Sequence, residues 1–235
     1  MQNLGRRVSV DDRDRNFLLR RKLPPPGTTM PTRKTWAINA KSLDQGGTST
    51  CIGHAWKNFL RCAPMQTVKS GPTPWDIYRG AVAVDEWSDN DDEASLPDGD
   101  PGMDSGTSVR AGAEAVLKAG RLKTYLWAFD LQSLIQWVLT QGPAVLGIDW
   151  YSSFNTPNAE GIIKITPMAR VEGGHAILCR GIDLTRSLAL LTNSWGDGYG
   201  ISGEVRIPLT DLERLLHQQG DCCTASEQKL SPRVA

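Results

Sequence analysis

The chain has only three histidines in 235 residues, His54, His175 and His217, so any chemistry that needs an imidazole has few places to find one. Cysteine is also scarce. The five thiols (Cys51, Cys62, Cys179, Cys222 and Cys223) are odd in number and irregularly spaced, which argues against a disulfide framework and for reduced thiols in a cytosol-like compartment. Cys222 and Cys223 are adjacent with no matching pair elsewhere, so no zinc site is expected. The acidic residues do not follow the spacing of an EF-hand loop, and no motif asks for a cofactor. The first residues lack the apolar core of a signal peptide, and no later run is long enough to span a bilayer. The expectation is a cytoplasmic protein without a membrane partner. Formal net charge is zero, which gives no electrostatic basis for a nucleic-acid partner. There is no internal repeat.

The charge that is present is unevenly placed. Met1 to Lys41 carries ten Lys/Arg against three Asp, and Asp85 to Asp104 carries nine acids and no base. Both read as solvated segments that can attract each other or dock a protein partner. Residues 1–31, with Pro24-Pro25-Pro26-Gly27, read as an extended basic arm, residues 32–220 as one domain with an acidic insertion at 85–104, and residues 221–235 as a polar tail.

Within the domain the first half has helical periodicity. Thr50 is placed to cap a helix in which Ile52, Ala55, Trp56, Phe59 and Leu60 form the apolar face. Thr73-Pro74 starts a second helix from Trp75, Ser108 to Gly120 is a third, and Asp130 caps a fourth that stops at Gly142-Pro143. After Pro143 the pattern becomes extended: Ala144 to Trp150, Ile162 to Thr166, His175 to Ile182, Leu188 to Asn193 and Glu204 to Ile207, with a last helix over Asp211 to Gln218. Helices first and strands afterwards predict an α+β protein with a helical lobe and a sheet lobe.

The stretch Asp44-Gln45-Gly46-Gly47-Thr48-Ser49-Thr50-Cys51 carries the chemistry. It sets a thiol in the first turn of a helix, where the positive end of the helix dipole favours a thiolate by a fraction of a kcal/mol to about 2 kcal/mol. Gln45 stands six residues before it, a side-chain amide suited to holding an oxyanion. A nearby imidazolium lowers a thiol pKa further. His54 sits on the same helix and reads as a core histidine, and His217, in the last turn of the final helix, needs no catalytic role. His175 is different. Gly173 and Gly174 before it let another chain approach closely, and Asn193 lies near it if the two following strands pair as a hairpin.

Three segments, DQGGTSTC, GGHAIL and NSWGDGYGISGEVRI, resemble the glutamine, cysteine, histidine and asparagine motifs of the papain-like cysteine peptidases, in that family's order. The separations from Cys51, 124 residues to His175 and 142 to Asn193, sit close to the range of about 130 to 150 in such enzymes. The resemblance runs from roughly Thr32 to Ile207. It implies a two-lobed fold with a cleft between a helical lobe and an antiparallel sheet or barrel lobe, and thiol-dependent hydrolysis of peptide or protein substrates. On this analogy Cys51 is the nucleophile, His175 its base, Asn193 the group that orients the imidazole, and Gln45 an oxyanion donor. Trp195 covers the His175–Asn193 hydrogen bond, while Ser105, Gly106 and Thr107 together with Gly174 offer backbone to the substrate. The same residues also suit acyl transfer to an amine, or a catalytically weak binding protein that keeps the cleft.

Two positions leave the family pattern: Thr48 stands where a cysteine is usual and Ile52 where an aromatic is usual. The basic arm is too short to resemble the family's helical propeptide. The expectation is therefore a protein that needs no large zymogen segment, although an arm across the cleft would still restrain it.

Overall fold

A computed structural model describes residues 4–9, 12–25, 27–38, 40–66, 71–85 and 106–227. Ser105 and the acidic stretch 86–104 lie outside the described residues.

The helices form where capping and apolar spacing agree. Helix α1 (Cys51–Arg61) buries nearly every side chain. Helix α2 (Pro74–Val82) opens on a capping box in which the Thr73 hydroxyl accepts from Asp76 N–H and the Asp76 carboxylate accepts from Thr73 N–H. Helix α3 (Val109–Lys118) is capped by the Ser108 hydroxyl, 3.1 Å from Ala111 N, and ends at Gly120 with φ 69°. The Asp130 carboxylate caps α4 (Leu131–Thr140), 2.6 Å from Ser133 N. Helix α5 (Leu209–His217) closes the series.

Two short strands come early, β1 (Arg6–Arg7) and β2 (Arg33–Thr35), and β1 pairs in parallel with β3 (Thr107–Ser108). The remaining strands are β4 (Thr124–Trp127), β5 (Ala144–Tyr151), β6 (Val171–Asp183), β7 (Leu188–Thr192), β8 (Glu204–Pro208) and β9 (Asp221–Glu227). With β2 attached to β6 they make an antiparallel sheet of order β4-β9-β5-β6-β7-β8.

The period of two along the central strands divides the interior into two cores. Ala144, Leu146, Ile148, Trp150, Ile177 and Cys179 join the core that contains α4 and α5, whereas Val145, Ala176 and Leu178 join the one that contains α1 and α3. The result is α+β with two lobes, as expected. Helix α4 packs in the core of the sheet lobe, so sequence order alone does not assign it to a lobe.

Several expectations change. Residues from Asp221, read as a polar tail, supply β9, an interior strand next to the edge, between β4 and β5. Asp-Cys-Cys-Thr-Ala has no long apolar side chain, but Cys222 and Cys223 are fully buried, one in each core, and act as small hydrophobes. Strand β4 was not foreseen either, and Ile162 to Thr166 makes only a single bridge, Ile162 to Arg206, instead of a strand. Asp85 does not belong with a solvated insertion: its buried carboxylate accepts from Thr107 Oγ1 at 2.5 Å and Ser108 N at 3.0 Å and holds β3 in place.

The basic arm is not uniformly extended. Asp12–Phe17 and Leu19–Lys22 wind into 3₁₀ turns, Leu18 bridges to Trp127, and Leu19 is fully buried in the sheet-lobe core. One leucine inside a basic run is too weak a signal to read from sequence. Leu19→Ala should cost about 2–5 kcal/mol, as for other buried leucines; a chemical-denaturation midpoint equal to that of the parent protein would refute the anchoring.

Candidate active site

Cys51 opens α1 and is fully buried. Thr50 occupies the cap position, but its hydroxyl makes no capping bond. It meets Thr48 Oγ1 at 2.7 Å and His54 Nδ1 at 3.2 Å. Backbone N–H groups of Ala176, Gly5, Ile52 and Cys51 itself lie near enough to the sulfur to favour its charged form. His54 is the buried core histidine expected, with Nδ1 2.9 Å from Thr50 O.

The Ala176 contact places the sulfur one residue from His175 along β6. His175 is fully buried, and its Nε2 lies 2.8 Å from Asn193 Oδ1. The same Asn193 atom accepts from Ser194 N–H at 2.8 Å, so it must be the carbonyl oxygen. Nε2 is therefore the donor, and in the neutral ring Nδ1 carries the lone pair. That nitrogen is buried and has no hydrogen-bond partner among the described residues. The hairpin inferred from sequence brings the pair together, because β6 and β7 run antiparallel with Leu178 opposite Thr192.

Two indoles enclose this hydrogen bond. The Trp195 ring lies 5.1 Å from the His175 ring and the Trp150 ring 4.8 Å from it, and the indoles pack on each other at 4.8 Å. In a low-dielectric enclosure of this kind a polar contact is electrostatically stronger than in water. Trp195 thus sits where the sequence placed it, whereas Trp150 was missed. It lies two residues beyond Ile148 in an apolar strand, and nothing in that run separates a site tryptophan from a core one.

Gln45 ties the turn before Cys51 to the sheet lobe. Its N–H donates to Ser194 O at 2.8 Å, its Oε1 accepts from the Ser194 hydroxyl at 2.7 Å, and its Nε2 donates to Thr48 O at 2.7 Å. The side-chain amide is therefore oriented before any ligand arrives.

The arm lies directly over these groups. Gly5 turns its N–H toward Cys51 Sγ and its carbonyl toward Thr107 N, 2.8 Å away. The approach is so close that side chains are excluded. A Cβ on Gly5 would stand 1.9 Å from Ser49 O, one on Gly106 (φ 67°) 2.3 Å from Gly5 O, and one on Gly174 2.4 Å from Arg6 O. Of the residues expected to meet a peptide, Gly106, Thr107 and Gly174 do line an extended chain, the protein's own.

Burial has an electrostatic consequence. It pushes the Cys51 thiol up, against the smaller opposing effect of the four N–H groups. It also takes His175 down to about 4, with the Asn193 hydrogen bond acting the other way and the nearby His54 adding to the fall. Covered by the arm, both groups are held neutral.

No protein-family model and no curated protein matches the sequence. Solved structures do resemble it in three dimensions. Xylellain, a cysteine protease from Xylella fastidiosa, gives a TM-score of 0.71 at 18% identity, over 97% of each chain. The digestive procathepsin L2 of Tenebrio molitor larval midgut gives 0.68 at 17% identity, over 96% of this chain and 78% of its own. The chain has the papain-like fold. A third papain-like neighbour, the Carica candamarcensis cysteine protease CMS1MS2 in complex with E-64, gives 0.55 at 14% identity, over 85% of this chain and 100% of its own. In this papain-like frame Cys51 opens a helix of one lobe, His175 and Asn193 lie on paired strands of the other, and the arm packs at Gly5 and Arg6 against Ser49, Gly106 and Gly174.

The shifted imidazole couples to stability. In the unfolded chain His175 takes up a proton near 6.5, and in the folded state only near 4. Between these values the unfolded state binds more protons, so stability falls as pH drops through that window and this group has no effect above it. The loss reaches at most about 3 kcal/mol. Thermal melts from pH 7 to 4 should fall more steeply for the parent protein than for His175→Gln, and parallel curves would contradict the neutral, buried imidazole.

Proposed function

We propose that this protein is a cysteine-type peptidase that uses Cys51, His175, Asn193 and Gln45 as its catalytic set. The observation that carries the reading is the tautomer of His175. With Nε2–H donated to Asn193, Nδ1 is the nitrogen left to exchange a proton with the thiol, and the next residue of the same strand, Ala176, lies close enough to act on that thiol.

The chemistry follows from those positions. Once the arm leaves, the Cys51 proton passes to His175 Nδ1, and the thiolate attacks the carbonyl carbon of a peptide bond. The oxyanion is held by N–H from the Gln45 side chain and from the Cys51 backbone; one such donor is typically worth about 10² to 10³ in rate. Collapse expels the amine, protonated from Nδ1–H, and leaves a thioester. Water, deprotonated by Nδ1, then attacks the thioester, releasing the acid and restoring the thiol. Asn193 keeps the imidazole in one orientation throughout.

The arm in the cleft favours a latent form of this activity. Gly5 lies close to the sulfur and its carbonyl accepts from Thr107 N–H, which seats the arm across Cys51. A permanently occupied cleft would instead suit a non-catalytic protein. Removing residues 1–30 would test this poorly, because it also strips Leu19 from the core. Gly5→Glu is a sharper tool, since its Cβ alone collides with Ser49 O.

In the parent protein Cys51 should react with iodoacetamide no faster than the other four buried thiols. In folded Gly5→Glu it should be the fastest, and an epoxide of the E-64 type should add one equivalent. Cys51→Ala in that background should remove both the adduct and peptide cleavage. A well-folded Gly5→Glu protein with neither adduct nor cleavage would refute the catalytic reading in favour of the binding one.

A further inference from the structure

Arg6, the arm residue beside the one that faces Cys51, has a side chain with no solvent exposure. Its guanidinium enters a pocket built by both lobes. Nε and Nη2 donate to Asp221 Oδ2 at 3.0 and 2.8 Å, Nη2 also donates to Gln219 O, and Nη1 lies 3.9 Å from Asp149 Oδ1. Gln219 is a non-glycine residue held at φ 63°, in the left-handed region. The space is made by a missing side chain: a Cβ on Gly147 would stand 2.7 Å from Asp221 Oδ2 and Val109 Cγ2, and 2.8 Å from Arg6 Nε. Gly147 faces Asp221 across one strand pair and Ala176 across the other, so the pocket adjoins the catalytic strand.

We infer that this pocket is a subsite for the arginine or lysine side chain of a peptide substrate, with Asp221 as the recognising carboxylate and Asp149 as a second acid beside it. The inference rests on the peptidase reading for the word substrate, and on the Arg6 geometry for the chemistry. A buried carboxylate left without a cation is costly, whereas a guanidinium with paired hydrogen bonds offsets that cost. Burial pushes the Asp221 carboxyl up and Arg6 pulls it back. Arg110 also acts on Asp221, but it forms an ion pair with Asp14. When the arm leaves, Asp221 faces the cleft and favours an incoming cation. An apolar side chain there would leave the carboxylate unpaired. The arm fills this subsite with the Arg6 side chain. A basic substrate and the arm therefore compete for one pocket, and the pocket selects the residue within about two positions of the scissile bond.

The test uses the full chain carrying Gly5→Glu, with Gly5→Ala as substitute should the larger side chain prevent folding. A mixed peptide library is digested and the products are sequenced by mass spectrometry. Products should carry Arg or Lys at one position near the cut, and Asp221→Asn should lower the ratio of basic to neutral residues there about tenfold or more. Cleavage without a basic preference would overturn the subsite and leave the peptidase reading intact. Absence of any cleavage would overturn the peptidase reading instead, and the pocket is then decided by binding. A labelled peptide of residues 2–9 is titrated into Gly5→Glu/Cys51→Ala. Replacing its arginine at the Arg6 position by alanine, or making Asp221→Asn in the protein, should weaken binding about tenfold or more. Unchanged affinity in both would overturn the pocket.

Discussion

His175 has one N–H to give, and Asn193 takes it. That hydrogen bond decides which ring nitrogen is left with its lone pair unused, and much of the sheet lobe serves to fix it. Strand β6 carries the histidine, the antiparallel β6–β7 pair brings Asn193 to it, and Ser194 N–H pins the asparagine oxygen so that the amide cannot be reversed. Trp150 and Trp195 close over the pair and keep water from competing for it. Gln45, bound to Ser194 through both backbone and side chain, then places the turn before Cys51 in register with the same segment. Cys51 and His175 come from different lobes, but a single stretch, Asn193-Ser194-Trp195, holds both His175 and the turn before Cys51.

The arm acts on this arrangement through sterics and through electrostatics. Sterically, Gly5, Gly106 and Gly174 remove three Cβ atoms where backbones meet closer than side chains allow. Electrostatically, covering the cleft desolvates Cys51 and His175, and burial favours the neutral form of each. A thiolate–imidazolium pair is therefore disfavoured while the arm is seated. The Arg6–Asp221 contact secures the arm at the next residue, and the 3₁₀ turns with Leu19 in the core fix the segment that follows.

The parts of the site that could be read from sequence were those with a local signature. Cys51 stands at a helix start behind a glycine turn, His175 follows two glycines at an apolar strand, and the Asn-Ser-Trp-Gly segment ends the next strand. What escaped reading had none. Trp150 looks like any strand tryptophan, Asp85 looks like the first acid of a solvated run, and Arg6 is one of ten bases before residue 42. Asp221 begins a stretch without large apolar residues. It becomes a buried strand only because β4 and β5 leave a gap that two cysteines are small enough to fill.

By itself the sequence determined the helix starts and most of the sheet, and it singled out Cys51, His175 and Asn193 as candidates, because capping, period and motif are properties of neighbours in the chain. Only the tertiary structure decided that the cleft is occupied, in which polarity, and with which side chain in which pocket. Those facts depend on contacts between residues as distant as Arg6 and Asp221, whose meeting follows from how the lobes and the arm pack and from no pattern either residue carries locally.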